Sequence, residues 1–192
     1  MTPAGSVCAM AFIYTAALSP DKPEWIRRFL IARGLPEDVT AERVGAFRFD
    51  DPAGEVGVEC MVARVGERLF LVPLSYRGEP REGAVVVCEA EHSVLGHRWI
   101  HDASTDPEAA EILRQGVRGE IPQEAMEMHD ADGTFLETRR PDTTVRSVGR
   151  GDGELDLPFE LEQVEESGVD PDGPRTLVAA GDGFTAVVGR LA

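Results

Sequence analysis

Three apolar runs follow one another between Arg43 and Tyr76 with almost no chain between them, and no other feature constrains the fold as tightly. Asp51-Pro-Ala-Gly54 separates the first from the second, and Gly66-Glu67 separates the second from the third. A parallel connection needs a crossover of about a dozen residues or more, so the runs must pair antiparallel, as a meander. In the second run Val56, Val58, Cys60 and Val62 alternate with Glu55, Gly57, Glu59 and Met61, which gives one apolar face and one more polar face. The third run, Arg68–Tyr76, is apolar at both parities (Leu69 and Leu71 against Phe70, Val72 and Leu74), as expected of a strand covered on both sides.

Helices and further strands surround this meander. Residues 8–18 read as a strand in which Phe12 and Tyr14 share a face. A turn at Ser19-Pro20 leads to Asp21, which caps a helix and stands three residues before Glu24, the capping-box spacing. Trp25, Ile26, Phe29 and Leu30 form its apolar stripe, Lys22, Arg27 and Arg28 face water, and Gly34 ends it. Ala84–Cys88 opens another β-type stretch. Asp106-Pro107 starts a second helix, carried by Ala109, Ala110, Ile112 and Leu113 and stopping at Gly116, with a short third helix at Gln123–Met128. The remainder is turn-rich, with β-like pieces at Thr143–Val148, Leu155–Leu161, Arg175–Ala180 and Phe184–Arg190; Asp182-Gly183 marks a tight hairpin between the last two. This order predicts an α+β fold with a β-rich C-terminal extension.

The 192 residues, 42% of them hydrophobic, suffice for one sizeable core, or for a core with a small appended unit. The net charge of -16 repels nucleic acid and anionic lipid, so neither is expected as a partner. Nine acids against one arginine between residues 150 and 172 read as a solvated loop or edge, without the spacing of a calcium loop. Cys8, Cys60 and Cys88 form no CxxC pair, and the odd count argues against a disulfide framework or structural zinc; Cys60 and Cys88 read as buried thiols. Residues 7–18 are apolar but have no basic residue before them, and no run is long enough to cross a bilayer, so the expected compartment is the cytoplasm.

The densest chemistry lies in Glu91-His-Ser-Val-Leu-Gly-His-Arg-Trp-Ile-His-Asp102. His92, His97 and His101, with Glu91, are a candidate metal set, although no recognised zinc spacing is matched. The structural alternative packs Val94, Leu95 and Trp99 inside. His101-Asp102 invites comparison with a kinase catalytic loop, but the Gly-rich loop, lysine and metal-binding asparagine that phosphoryl transfer requires are missing. Gly149-Arg-Gly-Asp-Gly153 lacks a phosphate-loop spacing and reads as a turn; Ser93, Ser75 and Cys88 have no recognisable nucleophile motif. Tyr76, Arg77 and Trp99 can line a polar groove in which a sugar stacks on an aromatic face, with core and turn roles as the alternative.

Arg43-Val-Gly-Ala-Phe-Arg-Phe-Asp-Asp-Pro-Ala-Gly-Glu-Val-Gly-Val-Glu59, Val72-Pro-Leu-Ser-Tyr-Arg77 and Glu91-His-Ser-Val-Leu-Gly96 with Arg98-Trp99 and Asp102 occur in an order that resembles the N-terminal cap domain of bacterial maltokinases. More closely, it looks like the stand-alone maltokinase-cap-like proteins of actinobacteria. The resemblance spans roughly residues 9–116 and implies a curved antiparallel sheet packed with a helix, of cystatin-like character. It divides the chain into a cap-like α+β domain at 1–116 and an acidic β-rich extension at 117–192, which completes or flanks the same domain. In maltokinases the ATP and sugar chemistry resides in kinase lobes outside the cap, so no catalytic residue and no cofactor carries over. The cap words that do carry over are Pro73, Tyr76, Arg77, His92, Gly96, Arg98, Trp99 and Asp102, while His97 and His101 stand where a basic and an aromatic residue are expected.

These readings point to a noncatalytic accessory or protein-interaction domain linked to maltose, trehalose or α-glucan metabolism, with a separate kinase or glucan enzyme as its partner. Two alternatives stay open. One is a saccharide or other small-molecule module using Tyr76, Arg77, His92, Arg98, Trp99 and Asp102. The other is a metal-dependent hydrolase using His92, His97, His101 and Glu91. Oligomeric state is not legible in the sequence.

Overall fold

The computed structural model describes residues 10–14, 17–51, 56–130, 134–139, 141–165 and 168–192; Cys8, the turn tip at Pro52–Gly54 and Glu166 lie outside them. In chain order the elements are β1 (Met10–Tyr14), β2 (Leu18–Ser19), α1 (Lys22–Ala32), β3 (Glu42–Asp50), β4 (Gly57–Val65), β5 (Arg68–Arg77), β6 (Val86–His92), β7 (Gly96–Asp102), α2 (Pro107–Arg118), β8 (Ala125–His129), β9 (Phe135–Arg139), β10 (Thr143–Val148), β11 (Leu155–Asp156), β12 (Glu160–Leu161), β13 (Arg175–Gly181) and β14 (Phe184–Leu191).

The expected meander is the centre of the molecule. β3, β4 and β5 pair antiparallel over their lengths, and the sheet continues through β7 and β6 to β2. The far edge of β5 is shared: β7 takes Leu74–Arg77, and β12, from the acidic C-terminal segment, takes Leu69 and Phe70. Pro73 sits where the partner changes. On that edge the Leu71 N–H donates to Phe159 O at 2.9 Å, and Pro73 O accepts from Ala103 N–H at 3.0 Å. The N–H that proline lacks would therefore point into the gap between β12 and β7, where no ladder bond is lost.

Both faces of the central sheet are buried. On one face Met61, Ala63, Phe70, Val72, Leu74 and Ile100 pack against Trp25, Ile26, Phe29 and Leu30 of α1. On the other face Phe47, Phe49, Val58, Cys60, Val62, Leu69 and Leu71 pack against α2 and against β13 and β14 of a second sheet, ordered β10-β13-β14-β11. A third sheet joins β1 to β8 in parallel and β8 to β9 antiparallel. The fold is α+β, with a curved antiparallel sheet packed on helices and a β-rich C-terminal sheet.

Several local expectations are corrected. The face of β4 expected to be polar is not solvated, because α1 covers it and buries both Glu59 and Met61. Asp21 accepts from Glu24 N–H at 3.2 Å as a cap should, but Glu24 binds Arg27 and Arg28 instead of reaching back. Lys22 turns to Glu59 rather than to water. Residues 125–129 form β8 instead of a helix, because β1 and β9 supply backbone partners on both edges. β9 itself was not foreseen. The described acids of the 150–172 segment are exposed, as expected. The glycine-rich turn is structural: a Cβ on Gly153 would lie 1.9 Å from Ala192 O.

α2 runs through Gly116 to Arg118 and ends at Gly119, whose φ of 72° is the left-handed cap. Gly116 does not stop the helix; it makes room for Phe49, whose ring would come within 2.6 Å of an added Cβ. Helix propensity alone favours Gly116→Ala by about 1 kcal/mol. Phe49 is 1% exposed and stacks edge-on against Phe47, so it has nowhere to go. Overpacking costs about 1–3 kcal/mol and outweighs the propensity gain. Gly116→Ala is therefore expected to lower the urea midpoint, and a raised midpoint would show that Phe49 has slack.

Candidate functional site

The side chains singled out from the sequence lie along β5–β7, and strand parity sends them to opposite faces of the sheet. Ser75, Arg77, Trp99 and His101 share the α2 face, since Ser75 pairs with His101 and Arg77 with Trp99. Tyr76 and Asp102 lie opposite Ile100 and Leu74, on the α1 face.

On the α2 face Asp106 is the hub. Its carboxylate accepts Ser75 Oγ at 2.9 Å, Arg77 Nε at 2.7 Å and Arg77 NH2 at 2.8 Å, and it caps α2 through the N–H groups of Glu108 and Ala109. Asp106 is fully buried. Burial alone would raise its pKa, but the bonds from Arg77 and Ser75 hold the carboxyl below the usual range. Arg77 also reaches Glu108 at 2.7 Å. All of its strong bonds are thus spent on the start of α2, and none is directed at a groove. His101, also fully buried, accepts Arg81 N–H at its Nε2 over 3.2 Å, which leaves Nδ1 as the N–H bearer without a partner. Burial keeps this imidazole less basic than usual, against the pull of Asp106.

On the α1 face a second network surrounds Glu59. It accepts Tyr76 Oη at 2.5 Å and Lys22 Nζ at 2.8 and 2.7 Å. Burial works against its charge, but Lys22 and Tyr76 prevail and lower its pKa. The Tyr76 phenol is pushed well up by burial and by Glu59. Trp25 tilts against the Tyr76 ring at 5.6 Å, and the Arg48 guanidinium lies 6.0 Å from the same ring. Arg48 Nε donates to Asp50 at 2.5 Å, over Gly57, where an added Cβ would sit 2.4 Å from the guanidinium. Asp102 completes the anchors by binding Arg33, at the end of α1, and the Ser104 hydroxyl.

The histidine run is a β-hairpin turning at Gly96, whose φ is 73°. His92 caps the turn, its Nδ1 accepting the N–H groups of Val94 and Leu95 at 3.2 and 3.1 Å. His97 bonds Glu91 at 2.6 Å and Glu89 at 2.9 Å, which makes it more basic than usual, and it meets the Trp99 ring edge-on at 4.4 Å. Arg98 bonds the carbonyl of His97. Leu95, expected inside, is 43% exposed at the tip, where the tight turn leaves it nothing to pack on.

The structure therefore brings His97 to Glu91 and Trp99, and Arg77 to the buried foot of α2. It leaves Tyr76 and Asp102 behind the sheet, His92 at the turn and His101 in the interior. Among the described residues no group of three or more His, Cys, Asp or Glu converges as a metal site. Burial pushes the Cys88 thiol up to about 11, which keeps it protonated at neutral pH. Open grooves of about 220 and 340 Å³ lie beside Val164, Val187 and Arg190 on the second sheet, away from the candidate residues. Sequence reasoning missed the Glu59 network; the available signal was a single acid in an otherwise apolar strand, next to Cys60 and Met61.

Residues 27–106 match the maltokinase N-terminal cap domain. A cap-like domain thus occupies this part of the chain, from the middle of α1 through β7 to the Asp106 cap of α2. No curated protein and no solved structure matches the chain.

Proposed function

We propose that this chain is a noncatalytic accessory module that binds a separate protein, a kinase or an α-glucan enzyme of maltose and trehalose metabolism. The observation that carries this reading is the cap-like domain at 27–106. The bonding in and around it agrees: Arg77 with Asp106, Glu59 with Lys22 and Tyr76, and Asp102 with Arg33 all serve to join elements of the fold. In this reading the cap supplies a rigid surface and the partner supplies the chemistry.

The test is calorimetric titration of the pure chain with a purified maltokinase catalytic region lacking its own cap, with maltose and trehalose in separate arms. Saturable binding to the protein and none to either sugar is expected. Sugar binding without protein binding would replace the proposal with a saccharide module. ATP-dependent phosphorylation of maltose by the chain alone, lost in Asp102→Asn, would overturn its noncatalytic character.

A further inference from the structure

Glu124 precedes β8 and is 3% exposed. Its backbone N–H donates to Arg48 O at 3.0 Å, which ties the chain entering β8 to strand β3. Its side chain is buried as well, yet Oε2 has no hydrogen-bond partner. Arg48 donates its Nε to Asp50 and makes no hydrogen bond to this oxygen. Glu59 offers no spare cation either, since Lys22 and the Tyr76 hydroxyl are both bonded to it. A buried carboxylate with an oxygen that no donor reaches is costly to ionise, so Glu124 retains its proton.

We infer that Glu124 is a protonation-dependent clasp, which holds the β8 segment against β3 while its buried carboxyl carries a proton and loosens that segment when the proton leaves. The charged groups acting on Glu124 are those of β3: Asp50 disfavours its ionisation and Arg48 favours it, both after burial, the largest effect. Glu59 from β4 and Asp51 act on Asp50 in the same sense as burial, which raises Asp50 above the usual carboxylate range against the pull of Arg48. Lys22 of α1 and Tyr76 of β5 enter through Glu59.

The sign follows from linkage. Glu124 is raised from 4.5 to about 7, so its contribution to holding the segment is complete below 4.5 and is lost as pH rises through about 7. An ionised Glu124 returns to its ordinary value when the segment opens into water. The open fraction should therefore climb about tenfold between pH 6 and pH 8.

Hydrogen exchange by mass spectrometry reads this directly on peptides covering 121–139, corrected for intrinsic exchange rates, with β5 peptides as the internal reference. Wild type should lose about tenfold in protection at 121–139 from pH 6 to pH 8, with β5 unchanged. Glu124→Gln should abolish the pH dependence, and Asp50→Asn should move it to lower pH. An unchanged pH dependence in Glu124→Gln, or a flat wild-type profile, would overturn the clasp. Carbon-13 carboxyl titration of Glu124 in the wild-type chain stands apart from any variant's ability to fold: a midpoint near that of a free glutamate would also overturn it.

Discussion

Asp106→Ala is expected to cost about 3–5 kcal/mol of folding stability, the loss seen when one partner of a buried ion pair is removed. Three losses coincide at this position. Arg77, only 12% exposed at its side chain, loses both bonds from its guanidinium fork to Asp106 and keeps only the exposed Glu108. Ser75 is left fully buried with its hydroxyl unpaired. The first turn of α2 loses its cap, worth about 1 kcal/mol by itself. Asp106→Asn separates these contributions, since asparagine caps a helix about as well as aspartate and still offers an oxygen to Ser75. It should therefore cost about half as much in urea unfolding. Because domain stabilities are about 5–15 kcal/mol, the alanine variant should unfold at markedly lower urea. A loss near 1 kcal/mol would mean that only the cap matters and that Arg77 is free for another task, which would return it to the ligand-binding candidates.

Why the fold was largely legible and the site was not can be traced to particular residues. The meander was readable because the two short connections at 51–54 and 66–67 admit one kind of pairing, and β3–β5 pair that way. The second strand was half misread. Alternation of Val58, Cys60 and Val62 against Glu59 and Met61 describes a sheet with one wet face, but coverage by α1 is a long-range fact that no period reports. The Gly116 stop failed for a similar reason. A glycine late in a helical pattern reads as a C-cap, but this one makes room for Phe49, whose packing against α2 only the fold reveals. β8 failed because its pairing with β1 joins segments more than a hundred residues apart.

The histidine run drew attention through composition, and the structure shows what composition cannot. A hairpin spreads a cluster that looks dense in one dimension: His92 faces away from His97 and His101, and those two share a face but stand four residues, about 13 Å, apart along β7. His97 meets Glu91 across the strands, whereas His92 and His101 serve a turn and an interior. Of the acids that mattered most, Glu59 and Glu124 were single letters in unremarkable contexts, while Asp106 was legible as the cap of α2 but not as the partner of Arg77 and Ser75. Their partners come from α1, β5 and β3, so only the assembled sheet identifies them.

The segment 17–120, which contains the whole cap-like region, is expected not to fold when produced alone. Leu177, Val188, Phe184 and Leu191 of β13 and β14 are at most 4% exposed, in the same cluster as Val58, Val62, Leu71, Ile112 and Leu113. Burying each such side chain contributes about 1.5–3 kcal/mol, so losing four of them, and stripping the facing residues, forfeits on the order of 10 kcal/mol. That matches or exceeds the whole stability of a typical domain. The cut also removes β12 and leaves the Leu69–Phe70 stretch of β5, an interior strand, with an open edge. The fragment should show weak near-ultraviolet dichroism, dye binding and collapsed amide dispersion, as a compact state without fixed packing does. Well-dispersed resonances and a cooperative unfolding transition would show instead that the second sheet is an ornament. The region recognisable as a maltokinase cap would then also be the unit that folds, whereas the shared core argues that recognition and folding have different boundaries here.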